Sequence, residues 1–95
     1  MQKWTQDQAI AYECACECIT DLCGILTGQI FEESSKPYPN SERLASLRTE
    51  RSRLFRERAE LSVKDDAKVA RVRAEYGARV RSLRGAHNGH QMAVA

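Results

Sequence analysis

The sequence predicts an all-α fold, a small helical bundle made of one long N-terminal helix and an antiparallel helical hairpin. Three observations carry this. All four cysteines and the broadest apolar surface lie in one stretch, residues 5–31. Two later stretches repeat apolar residues at helical spacing, and both prolines, Pro37 and Pro39, are confined to the polar run between the first and second of these segments. Together they give a single three-helix domain over residues 1–85, with helices at about 5–31, 41–61 and 63–84, a linker at 32–40 and a disordered tail at 86–95.

The first helix starts at a capping box. Thr5 followed by Gln8 lets the hydroxyl accept from the Gln8 amide while the Gln8 side chain reaches back, and Trp4 can staple against Ala9 or Ile10. At about 100° per residue, Cys14, Ile25, Cys18, Ala11, Leu22, Ala15, Leu26, Ile19, Tyr12, Ile30, Cys23 and Cys16 fill one arc of roughly 200°, about twice the stripe of an ordinary surface helix. A helix of this kind must be covered on two sides. The hairpin can cover both, or a second copy can cover one of them, and a self-associating form, a homodimer with this helix at its centre, is expected. The remaining arc carries Glu13, Glu17 and Asp21 at i, i+4, i+8. Gly24 and Gly28 weaken the last turns; close packing is expected at Gly24 and fraying at Gly28.

Asn40 or Ser41 caps the second helix. Leu44, Leu47, Leu54 and Leu61 form a heptad stripe, with Arg51 and Arg58 in the intervening core-type positions and Phe55 widening the seam. An arginine there packs its methylenes and carries its charge outward. Ser62 and Asp65 form a second capping box that restarts the chain as a third helix, and the break folds helices two and three into a hairpin rather than one long rod. Val69, Val72, Tyr76, Val80 and Leu83 share one face of the third helix. Gly77 leaves a gap beside Tyr76 for a neighbour, and Gly85 stops the helix.

Charge is divided unevenly. Residues 1–40 hold six acids against Lys3 and Lys36, and residues 41–95 hold seven acids against thirteen bases, so a formal net charge of +2 conceals −4 and +6 halves. All eleven arginines fall between Arg43 and Arg84. Like charges at i, i+4 on a helix are mildly unfavourable, so the Glu13/Glu17/Asp21 ridge makes sense when cations face it. Arg51 and Arg58 are the expected answer within the bundle or dimer, and these five residues are the candidate partner-binding set. On the third helix Arg73, Arg81 and Arg84 form a basic stripe without an acid at i±4, an alternative site for nucleic acid, whereas Arg71 and Arg79 flank Glu75. Helix two is more balanced, with Arg53 near Glu57 and Arg56 near Glu60.

Cys14 and Cys18, one turn apart, could offer a thiolate pair to a soft metal or act as a redox sensor, but small buried thiols explain them as well. No cofactor is expected. The chain has no glycine-rich phosphate loop and no Ser/His/Asp set, and both histidines lie in the tail, which argues against an enzyme. The opening residues lack the basic and apolar regions of a secretory signal, and acids interrupt the one candidate span, so a cytoplasmic protein without a membrane segment is expected. The function these features predict is that of a small non-catalytic helical interaction protein, a regulator, adaptor or inhibitor with a protein partner.

Overall fold

The computed structural model describes residues 4–85 in full and is an all-α three-helix bundle: α1, Gln6–Ser34, α2, Ser41–Glu60, and α3, Asp66–Val94. No side chain is described beyond Gly85, but the helix itself continues through Gly85 to Val94, so the stop expected at Gly85 is corrected and residues 86–94, expected as a disordered tail, extend α3. Both α2 and α3 pack on α1, while among the described residues no Cα of α2 comes within 8 Å of a Cα of α3. The two outer helices therefore clasp the first from its two sides, and the wide apolar arc is covered within one chain. Ala15, Ile19 and Leu22 are 0% exposed, so burial of this arc places no demand on a second copy.

The capping box at the start of α1 is present in both directions. Gln8 N donates to Thr5 Oγ1 at 3.1 Å and Thr5 N donates to Gln8 Oε1 at 2.8 Å. The same Gln8 side chain donates to Asp66 Oδ1 at 3.0 Å, tying the first turn of α1 to the first turn of α3. These two helices run parallel, and α2 runs antiparallel to α1.

The far end differs from expectation. The helix passes through Gly24 and Gly28 and ends three residues later than predicted, where the hydroxyls of Ser34 and Ser35 accompany the final carbonyls of Ile30 and Phe31. No atom lies within 4 Å of where a Cβ would stand at Gly24 or Gly28, so the close packing expected at Gly24 is absent from the bundle. Both glycines face open space, and both carry the backbone entropy cost of a mid-helix glycine. Gly24→Ala and Gly28→Ala are each expected to stabilise the protein by about 0.5–1 kcal/mol, read as a higher urea midpoint at unchanged slope.

Asn40 caps α2, its side chain accepting from Arg43 N at 3.1 Å. Leu47, Leu54 and Leu61 are buried as the heptad stripe requires, but Phe55 is 51% exposed and faces away from the seam. The break between α2 and α3 is a tight turn, which makes the hairpin. Its cap is Asp65 rather than Ser62: Asp65 Oδ1 accepts from Lys68 N at 3.1 Å and its carbonyl from Val69 N at 2.9 Å, while Ser62 Oγ accepts from Lys64 N at 3.2 Å inside the turn. Both residues satisfy the N-cap pattern; the extra turn is needed to carry the chain across α1.

Val69, Val72, Tyr76 and Val80 close the core from the α3 side, with Leu83 partly buried against them. The gap at Gly77 is filled from α1, where Cys18 Sγ lies 3.6 Å from the position a Cβ would occupy. Side chains alone bridge the outer helices. Arg79 pairs with Glu50 across the bundle instead of with Glu75, which Arg71 holds at 3.3 Å, and Arg53 Nη1 donates to the Tyr76 hydroxyl at 3.5 Å. Arg53 also pairs with Glu57 as its i, i+4 position suggests, at 3.7 Å.

Candidate functional site

The solvent face of α1 collects the residues singled out above. Along it run Ile10, Glu17, Gly24 and Phe31 at seven-residue intervals, with Glu13, Thr20 and Thr27 on the α2 side and Asp21 on the α3 side. Arginines from both neighbouring helices border this strip.

On the α2 side the border is built from two equivalent rungs. Arg58 Nε donates to Thr20 Oγ1 at 3.1 Å, and the Thr20 hydroxyl donates to the Cys16 carbonyl at 2.9 Å. One heptad on, Arg51 Nη1 donates to Thr27 Oγ1 at 3.1 Å, and the Thr27 hydroxyl donates to the Cys23 carbonyl at 2.9 Å. The expectation that Arg51 and Arg58 would meet the acidic ridge is thus corrected: they stop on threonines. Going round α1 away from α2, Thr27 and Thr20 come before Glu13 and Glu17, so an arginine leaving the seam reaches a hydroxyl first.

On the α3 side Arg84 Nη2 lies 3.8 Å from Asp21 Oδ2, an exposed pair worth little in water. Arg81 lays its guanidinium 3.3 Å from the empty Cβ position of Gly77, and Arg73 is near enough to act electrostatically on Cys18. Asp21 is therefore the one member of the ridge that an arginine answers. Among the described residues Glu13 and Glu17 are exposed and enter no ion pair.

Two cavities open beside these acids and share Tyr12 and Glu13. One, of about 460 Å³, is lined by Trp4, Ala9, Tyr12, Glu13, Leu61 and Val63. The other, of about 350 Å³, is lined by Tyr12, Glu13, Cys16, Glu17, Thr20 and Arg58.

All four cysteines are free, with Cys16 and Cys23 buried and Cys14 and Cys18 at the border of the arc. Burial pushes the Cys18 thiol up, with Asp21 adding to it, and burial likewise raises Cys23. Both effects favour the protonated thiol over the thiolate that binds metal. Among the described residues no group of three or more His, Cys, Asp or Glu side chains is placed to hold a metal ion, and no helix is long and apolar enough to cross a membrane.

One polar residue at the end of α1 escaped the sequence reading. Glu33 is 4% exposed, and its carboxylate accepts from Asn40 N at 2.9 Å and from Lys36 Nζ at 3.0 Å and lies 3.3 Å from Arg43 Nε. The backbone hydrogen bond from Asn40, then the bond from Lys36, hold its pKa below the ordinary value of 4.5. The available signal was positional: Glu33 falls in the middle of the apolar arc, where a carboxylate needs partners.

No family model, curated protein or solved structure matches the chain.

Proposed function

We propose that this is a small non-catalytic interaction protein that binds another protein through the open face of α1, acting as a regulator, adaptor or inhibitor in the cytoplasm. The observation that carries the reading is the pair Glu13 and Glu17, exposed and without an ion-pair partner among the described residues, on a chain whose other half is rich in arginine. Two carboxylates kept one turn apart without a cation cost helix stability, a cost that contact with a basic partner surface removes. Arg51 and Arg58 serve this face by holding its border rigid through Thr27 and Thr20, and Asp21 contributes through its loose pairing with Arg84.

The test is capture from extracts of the native host by the intact protein and by a Glu13→Arg/Glu17→Arg variant, followed by titration of each purified captured protein. A specific partner is expected to bind the intact chain and to lose at least tenfold in affinity for the variant; equal affinity for both would overturn the reading. A nucleic-acid reading has one observation in its favour, because Arg73 and Arg81 are exposed and enter no ion pair among the described residues. It requires salt-sensitive retardation of duplex DNA or RNA that Arg73→Glu/Arg81→Glu abolishes. A homodimer would use the same open face of α1, with Phe31 at 73% and Phe55 at 51% exposure beside it, and sedimentation across a concentration series detects it.

A further inference from the structure

The two cavities beside Glu13 form one groove with a gradient of character. At the end nearest the α2–α3 turn, Trp4, Leu61 and Val63 make it apolar, and toward the middle of α1 it becomes acidic, with Glu13 and Glu17 on its rim. Tyr12 and Glu13 line both cavities, which places the two side by side along α1. We infer that this groove receives a cationic amphipathic helix of a partner protein, with a bulky apolar side chain seated between Trp4 and Val63 and a lysine or arginine one to two turns along it set against Glu13 and Glu17. The inference rests on the interaction reading above and assigns that face its partner chemistry.

Charge chooses the occupant. Among the described residues the only cation lining the groove is Arg58, whose Nε is committed to Thr20 at 3.1 Å, and neither exposed carboxylate enters an ion pair. An anionic peptide, a phosphate backbone or an acidic lipid surface would bring like charge to this rim, and a wholly apolar segment would bury the acids without pairing them. From Ala9 to Thr20 the groove follows α1 for about 17 Å at 1.5 Å per residue, or three turns of a partner helix. Apolar anchors on one face of a short helix are the usual way such a groove is read.

Trp4 is the only tryptophan in the chain and lines the apolar end, so its emission reports occupancy without a label. The probe is a 14-residue tryptophan-free peptide of leucine and lysine patterned as an amphipathic helix, beside a counterpart with glutamate in place of lysine. With the full-length protein, the lysine peptide is expected to shift Trp4 emission saturably, with an affinity that falls as salt rises, and the glutamate peptide is expected to leave it unchanged. Glu13→Gln/Glu17→Gln is expected to weaken the lysine peptide at least tenfold. Ala9→Arg, a substitution on a half-buried helical position that fills the groove with bulk and positive charge, is expected to do the same, with far-UV circular dichroism unchanged.

Absence of a saturable shift up to millimolar peptide would overturn the inference, as would equal response to the two peptides or indifference to Ala9→Arg. A Trp4 shift that depends on protein concentration without peptide would assign the groove to a second copy and overturn it too. Should a host protein be captured in a Glu13- and Glu17-dependent way yet bind the Ala9→Arg variant unimpaired, the interaction face stands and the groove assignment alone falls.

Discussion

Leu22→Ala is expected to destabilise the protein by roughly 2–5 kcal/mol, out of the roughly 5–15 kcal/mol that a domain of this size usually has. Leu22 is 0% exposed in the centre of the apolar arc, on the one helix against which both others pack. Truncation leaves a void that neither α2 nor α3 can close without leaving its other contacts on α1, which places the cost toward the upper part of the range. Urea or thermal unfolding followed at 222 nm measures it, and the midpoint temperature should fall by roughly 10–30 °C. The control is Phe55→Ala, which removes a larger side chain from a position 51% exposed and should change stability by no more than about 0.5 kcal/mol. If Leu22→Ala cost less than Phe55→Ala, α1 could not be the shared core of the bundle.

Replacing Glu33 by glutamine is expected to be the most damaging single change among the polar residues, and to alter how stability depends on pH. The carboxylate receives the Asn40 amide, the Lys36 ammonium and the Arg43 guanidinium within one corner; Asn40 is itself the residue that caps α2. A glutamine can still accept one of these bonds but has no charge for the two cations. Because the folded-state pKa is depressed, the stabilisation is fully present above the unfolded value near 4.5 and is lost as pH falls through the folded value. Midpoints measured from pH 7 to pH 2 should drop steeply below about 4.5 for the natural protein, and the Glu33→Gln chain, lower throughout, should lack that part of the drop. Parallel curves for the two proteins would show that Glu33 is not the group responsible.

Much of the architecture was legible because it depends on local rules. The Thr5/Gln8 capping box, the leucine stripe of α2 and the valine-rich face of α3 each follow from short-range spacing. The failures share a cause as well. Phe55 extends the leucine pattern by one place, and only the position of α1 decides that this place is outside. Asp65 and Ser62 both fit an N-cap, and the span the turn must cover chooses between them. Arg79 has an acid one turn away in sequence, yet Glu50 on a neighbouring helix competes better. Glu33 was assigned to the linker on composition, because its cations come from Lys36 beyond the helix end and from Arg43 on the next helix. In the candidate site, the grouping of acids with arginines could be foreseen from their segregation along the chain; the threonines that intercept Arg51 and Arg58 could not, since that depends on the order of side chains around α1.

The two threonine–arginine rungs have a consequence for alignment. Thr20 and Thr27 are seven apart, as are Arg58 and Arg51, and Leu47, Leu54 and Leu61 share that interval. Sliding α2 by one heptad would seat Arg51 on Thr20, bring Arg58 beside Glu13 and put Leu47 and Leu54 in the places of Leu54 and Leu61, so the facing surfaces define a ruler whose marks look alike. The tether selects among those marks, with Asn40 held on Glu33 only six residues after α1 ends. Lengthening that tether while removing Glu33 would free the ruler to slip, and a cysteine placed at position 51 together with one at position 20 or 27 would record by cross-linking which mark the helix occupies.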